Sequence, residues 1–102
     1  MSQRYHTVRL GDETLLQHDV WDDDVAVPLT EASCKITIMN SSGTRTIDNA
    51  TVTDLVNTNR MQYRWTTATA GEYRVEWHAV DTSGNDYYSE TILITVDARL
   101  AT

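Results

Sequence analysis

Apolar and polar residues alternate with a period of two along most of this chain. The clearest stretch is Gly71–Val80, where Tyr73, Val75, Trp77 and Ala79 fall on one side and Glu72, Arg74, Glu76 and His78 on the other. Successive side chains of a strand point to opposite faces, so alternation this regular predicts a strand with one buried and one wet face. Residues 60–66 repeat the pattern, setting Met61, Tyr63 and Trp65 against Arg60, Gln62 and Arg64. Residues 34–40 set Cys34, Ile36 and Ile38 against Lys35, Thr37 and Met39. Weaker alternation predicts strands over residues 5–10, 14–21, 50–56 and 87–96, with Val8, Leu10, Leu16, His18 and Val20 inward. No window carries a helical i, i+3, i+4, i+7 stripe bounded by a cap and a stop.

Turn chemistry falls between these segments. Asn40-Ser41-Ser42-Gly43-Thr44 and Asp81-Thr82-Ser83-Gly84-Asn85-Asp86 each hold a Gly suited to positive φ, and Asp22-Asp23-Asp24 follows the second strand. Pro28 stands in an extended connection, where its missing N–H is harmless. About seven short strands separated by such turns predict an all-β, immunoglobulin-like antiparallel β-sandwich. Gly71-Glu72-Tyr73 sharpens that reading, because such sandwiches place a Tyr at the start of strand F that bonds back to the backbone. Val75 then sits where antibody domains carry a disulfide Cys, and Trp65 and Trp77 share the core parity.

Composition narrows the functional classes. The 102 residues suffice for one domain, with a core expected over residues 5–97 and short arms at 1–4 and 98–102. Fifteen acidic residues against eight basic ones give a net charge of −7, and Lys35 is the single lysine. Nucleic-acid binding needs clustered Lys and Arg, and anionic membranes attract the same groups, so neither partner is expected. The lone Cys34 sits in an apolar run and reads as a small core residue. The first residues contain no apolar leader, and no stretch approaches the roughly 18 apolar residues of a membrane helix, so synthesis in a reducing cytoplasm is expected.

Sites for chemistry are sparse. No nucleophile elbow, phosphate loop or paired-carboxylate motif appears, and an enzyme is not expected. His6, His18 and His78 lie on three different strands without metal-ligand spacing, and no cofactor is expected. Three consecutive Asp, residues 22–24, offer oxygen ligands for calcium, but an extended backbone points them alternately. Trp21, at the lip of this acidic turn, suits either an interface anchor or a sugar platform. The polar first segment carries Arg4, Tyr5 and His6 and suits an edge strand open to a neighbouring protein.

Several local sequences occur in an informative order. Val27-Pro28-Leu29-Thr30-Glu31-Ala32 leads into a strand, and Ser42-Gly43-Thr44 forms the turn after it. Met61-Gln62-Tyr63-Arg64-Trp65 precedes Ala70-Gly71-Glu72-Tyr73-Arg74-Val75-Glu76-Trp77, and Ser83-Gly84-Asn85 precedes a last strand containing Tyr. This order, over residues 5–97, resembles the N-terminal domain family of the baseplate upper proteins of tailed bacteriophages. The family's acidic-x-acidic-Gly turn is here Asp22-Asp23-Asp24-Val25, without Gly, and a receptor-binding region is not expected. The resemblance implies a free-standing virion module that docks on other virion proteins. It would be a capsid decoration or cement protein, or a tail, connector or baseplate adaptor, with self-association in a symmetric assembly as a further option. The residues themselves also leave open a small module binding carbohydrate or calcium at the turn of residues 21–24.

Overall fold

The structure, a computed structural model, describes residues 4–9, 11, 13–67, 69–89 and 91–97, with side chains from residue 11 onward. Its strands in chain order are β1 (Arg4–Arg9), β2 (Thr14–Asp19), β3 (Trp21–Asp22), β4 (Val25–Ala26), β5 (Lys35–Asn40), β6 (Arg45–Thr51), β7 (Asp54–Val56), β8 (Arg60–Trp65), β9 (Gly71–Val80), β10 (Asp86–Tyr88) and β11 (Ile92–Asp97). The helical element among the described residues is one 3-10 turn, Glu31–Ser33.

Two layers result. The larger sheet runs β1-β11-β9-β5-β6, with β10 beside β9, and the smaller runs β2-β8-β7. All neighbours in the layers are antiparallel except β1 and β11, which run parallel. With β2, β8 and β7 as strands B, E and D, and β5, β9 and β11 as C, F and G, this is the strand partition of an immunoglobulin-like sandwich. The core between the layers follows the sequence parity. Ile36 and Ile38 of β5, Val75 and Trp77 of β9 and Ile94 of β11 face Leu16 of β2 and Met61 and Trp65 of β8. Each such side chain contributes about 1.5–3 kcal/mol by leaving water. Cys34 is wholly buried beside them. The parity expected for Val8 and Leu10 lies outside the described side chains.

Three expected strands are interrupted, each for a visible reason. Residues 14–21 break at Val20, whose N–H donates to Asn59 O (2.9 Å) and thereby leaves the β2 ladder. Residues 50–56 break where the chain crosses between layers. Val52 N–H donates to Cys34 O (3.0 Å) on one sheet side, and the next residue, Thr53, donates to Gln62 O (2.9 Å) on the other. Residues 87–96 break at Ser89, whose N–H donates to Trp77 O (3.0 Å) while its hydroxyl accepts from Trp77 N–H (2.9 Å), replacing a ladder carbonyl. Strand β6 is an addition to the expected set. Its residues are mostly exposed, because it is an edge strand with a register shift against β5 and needs no apolar face.

The β5–β6 and β9–β10 turns are the same device used twice. Asn40 Oδ1 accepts from Ser42 N and Thr44 N (both 3.0 Å), and Asp81 Oδ1 accepts from Ser83 N and Asn85 N (both 2.9 Å). The fourth residue is Gly in both, at φ 85° for Gly43 and 90° for Gly84, which a residue with Cβ occupies only with strain. The turn after β7 is less relaxed, since Asn57 and the β-branched Thr58 hold φ of 52° and 63°. A left-handed conformation costs an L-residue roughly 1–2 kcal/mol, whereas Gly loses roughly 0.5–1 kcal/mol more on ordering. The first effect is larger. Thr58→Gly should therefore stabilise the protein by about 0.5–1 kcal/mol in urea unfolding, and a loss of stability would show that Thr58 contributes bonds that offset its strain.

Candidate interaction surface

Three connections meet at one end of the sandwich. The segment from β2 to β5 is tied to the β7–β8 turn by Val20 N–Asn59 O (2.9 Å) and Leu29 N–Thr58 O (2.9 Å). It is tied to the β9–β10 turn by an isolated bridge between Leu29 and Asp81 and by Thr82 N–Pro28 O (3.2 Å). The buried Asn59 amide adds a bond to Val20 O (3.1 Å). Val20 and Val27 are buried and joined by Val27 N–Val20 O (3.2 Å), forming the base of a small hairpin.

That hairpin is β3–β4, with Trp21 opposite Ala26 and Asp22 opposite Val25. Asp23 and Asp24 form its two-residue tip at φ 48° and 64°, the pair of positive φ values that a type I′ turn requires. Trp21 is 58% exposed and Val25 65% exposed. Among the described residues the other large exposed apolar side chains are Leu15 of β2 and Tyr88 of β10. Asp22, Asp23 and Asp24 are all exposed, and among the described residues no group of three or more His, Cys, Asp or Glu side chains gathers as a metal site.

The β9–β10 turn supplies an electrostatic anchor beside the hairpin. Asp81 accepts from Ser83 N, from the Asn85 backbone and side-chain amides, and from the Tyr87 hydroxyl (3.2 Å). The backbone bond from Asn85 leads in holding its carboxyl below the ordinary carboxylate range, against the opposing effect of burial. Burial, followed by Asp81 and more distantly Asp22, pushes the Tyr87 phenol up. A depressed folded pKa adds stability above the unfolded carboxylate range, and that stability is lost as pH falls through the folded value. Asp81→Asn should therefore lower stability near neutrality, converge with wild type at low pH, and so flatten the acid limb of the stability–pH curve. An unchanged acid limb would assign that limb to other carboxylates, such as Asp19, whose bidentate pairing with Arg60 (2.8 and 3.1 Å) also lowers its pKa.

The outer face of β5, β6 and β9 holds a second feature, a shallow basin of about 680 Å³ lined by Thr37, Met39, Arg45, Arg74, Glu76 and His78, among others. The Tyr88 ring stacks on His78 (4.3 Å, 8°), and His78 Nε2 lies 2.9 Å from Asp86 Oδ1. Alternation along the sequence puts Arg74, Glu76 and His78 on the wet face of one strand. It does not show the basin, because Arg45 comes from the polar edge strand β6, which has no alternating apolar face.

The structure separates the residues singled out in the sequence. Arg4, Tyr5 and His6 lie in β1 at the edge of the large sheet, and their side chains are outside the described set. Trp21, Asp22, Asp23 and Asp24 share the hairpin. Gly71 opens β9 at φ 140°, and Tyr73, Val75, Trp65 and Trp77 are buried. The Tyr73 hydroxyl donates to Thr69 O (2.7 Å), the bond that defines a tyrosine corner. No family model matches this chain, and no curated protein shows significant similarity to it.

Proposed function

We propose that this protein is a non-catalytic structural module of a tailed-phage virion that works by docking on other virion proteins. The sandwich employs most of the described chain in its two layers and core. The observation that carries the reading is the pair of exposed apolar side chains on one small hairpin. Trp21 and Val25 stand bare on the β3–β4 hairpin, at the end where three connections are tied together by backbone hydrogen bonds. An exposed Trp on a rigid frame suits a protein interface, where Trp is enriched among the anchoring residues. The order of turn and core motifs along the chain supports a virion setting, as either a head decoration protein or a tail, connector or baseplate adaptor.

Quantitative mass spectrometry of purified particles tests this. The chain should be present at a fixed copy number per particle that survives washing and density centrifugation. A copy number that drifts between preparations, or loss of the chain on washing, would overturn the virion role.

A further inference from the structure

The β3–β4 hairpin carries side chains that the sandwich does not use. Residues directly opposed in an antiparallel ribbon share a face, and neighbours along a strand alternate. Trp21 and Ala26 therefore lie on one face of the hairpin, and Asp22 and Val25 on the other. Its two exposed apolar side chains look in opposite directions, and the tip between the strands is Asp23-Asp24. The ion pairs among the described residues are Arg45–Asp48, Arg60–Asp19, Arg64–Glu13 and His78–Asp86, so none neutralises Asp22, Asp23 or Asp24.

The geometry points to a wedge: the hairpin enters a cleft in a partner protein, with apolar walls covering Trp21 and Val25 and Lys or Arg side chains at the floor facing Asp23 and Asp24. This rests on the reading that the protein acts by docking on other proteins. A flat partner surface covers one face of a ribbon and leaves the other apolar side chain in water, whereas a cleft covers both. The acidic tip goes in first, so it loses the most solvent and requires cations where it ends. A second copy of this chain does not meet that requirement. Two chains of charge −7 repel each other, and the basin on the large sheet sets Asp48 and Glu76 beside its arginines.

Site-specific photocrosslinking tests the wedge. A benzophenone amino acid is placed at position 21, and separately at position 25, in the full chain made in its producing cells, and crosslinked peptides are identified by mass spectrometry. Both positions should capture one protein, at two different segments, with Lys or Arg close to the captured residues. With that protein purified, Trp21→Ala and Val25→Ala should each weaken binding at least tenfold with unchanged melting temperature. Binding should also fall steeply between about 0.05 and about 0.5 M salt, and less steeply for a variant combining Asp23→Asn and Asp24→Asn. Capture from one position only, capture of a glycan or lipid, no capture, or loss of binding on Trp21→Ala alone would overturn the wedge. Capture of one protein that is absent from virions overturns the virion role and leaves the wedge standing. No capture by a chain firmly present in particles does the reverse.

Discussion

Replacing Trp77 with alanine should cost about 3–5 kcal/mol, out of the roughly 5–15 kcal/mol that holds an ordinary domain together. Trp77 is wholly buried in the middle of β9, opposite Ile36 of β5, with the His18 ring stacked beside it (6.2 Å, 16°). Its backbone N–H and C=O are both used to hold Ser89 at the break between β10 and β11. A cavity there would loosen both layers and the kinked last strand together. The indole N–H finds no hydrogen-bond partner among the described residues. An unsatisfied buried donor costs about 1–3 kcal/mol, so Trp77→Phe removes a penalty as well as some volume. Urea unfolding followed by circular dichroism should place the Phe variant much closer to wild type than to the Ala variant. Equal losses in the two variants would mean that the indole N–H is bonded in solution, for example to a buried water.

Tyr73→Phe should cost about 0.5–1.5 kcal/mol although it removes a single oxygen. The hydroxyl lies 2.7 Å from Thr69 O and 3.0 Å from Thr67 Oγ1, and so ties the approach to β9 back onto its first turn. The Phe variant keeps the ring, which meets Trp65 edge-on at 5.0 Å and 77°, so the core packing is preserved and the missing bond is what is measured. At about 4–8 °C per kcal/mol for a domain near this size, the melting temperature should fall visibly. Thr67→Ala should cost less, because the Thr69 carbonyl keeps its donor. If Thr67→Ala cost as much as Tyr73→Phe, the threonine bond would be the important half of the corner.

Much of the sandwich is legible in the sequence because burial on one face of a strand imposes a period of two. The alternation in β9, β8 and β5 is strict enough to identify Val75, Trp77, Met61, Trp65, Ile36 and Ile38 as inward residues. The two Ser-Gly turns are equally readable, since Asn40 and Asp81 each precede a Gly by three positions and that spacing is itself the turn chemistry. Edge strands escape this logic. β6 satisfies its backbone through β5 and has little to bury, so Arg45, Thr46, Asp48 and Asn49 carry no strand signature. The breaks at Val20, Val52 and Ser89 are invisible for a related reason, because each is made by a hydrogen bond to a residue distant in sequence.

The candidate interaction surface shows the same division. The sequence alone identifies an acidic turn with a Trp beside it, a net charge of −7 that disfavours nucleic acid, and an inward parity for most other large apolar residues. It does not show that Asp22 and Val25 pair across a two-residue tip, and its alternation suggested only a turn there. That pairing places Trp21 and Val25 on opposite faces of a hairpin, beside the β9–β10 turn to which Leu29 and Pro28 tie it. Local alternation records which side of a strand meets the core, since that is a property of neighbouring residues. Where two strands end, cross or fold back together is decided by backbone bonds between distant segments, and only the tertiary structure contains those.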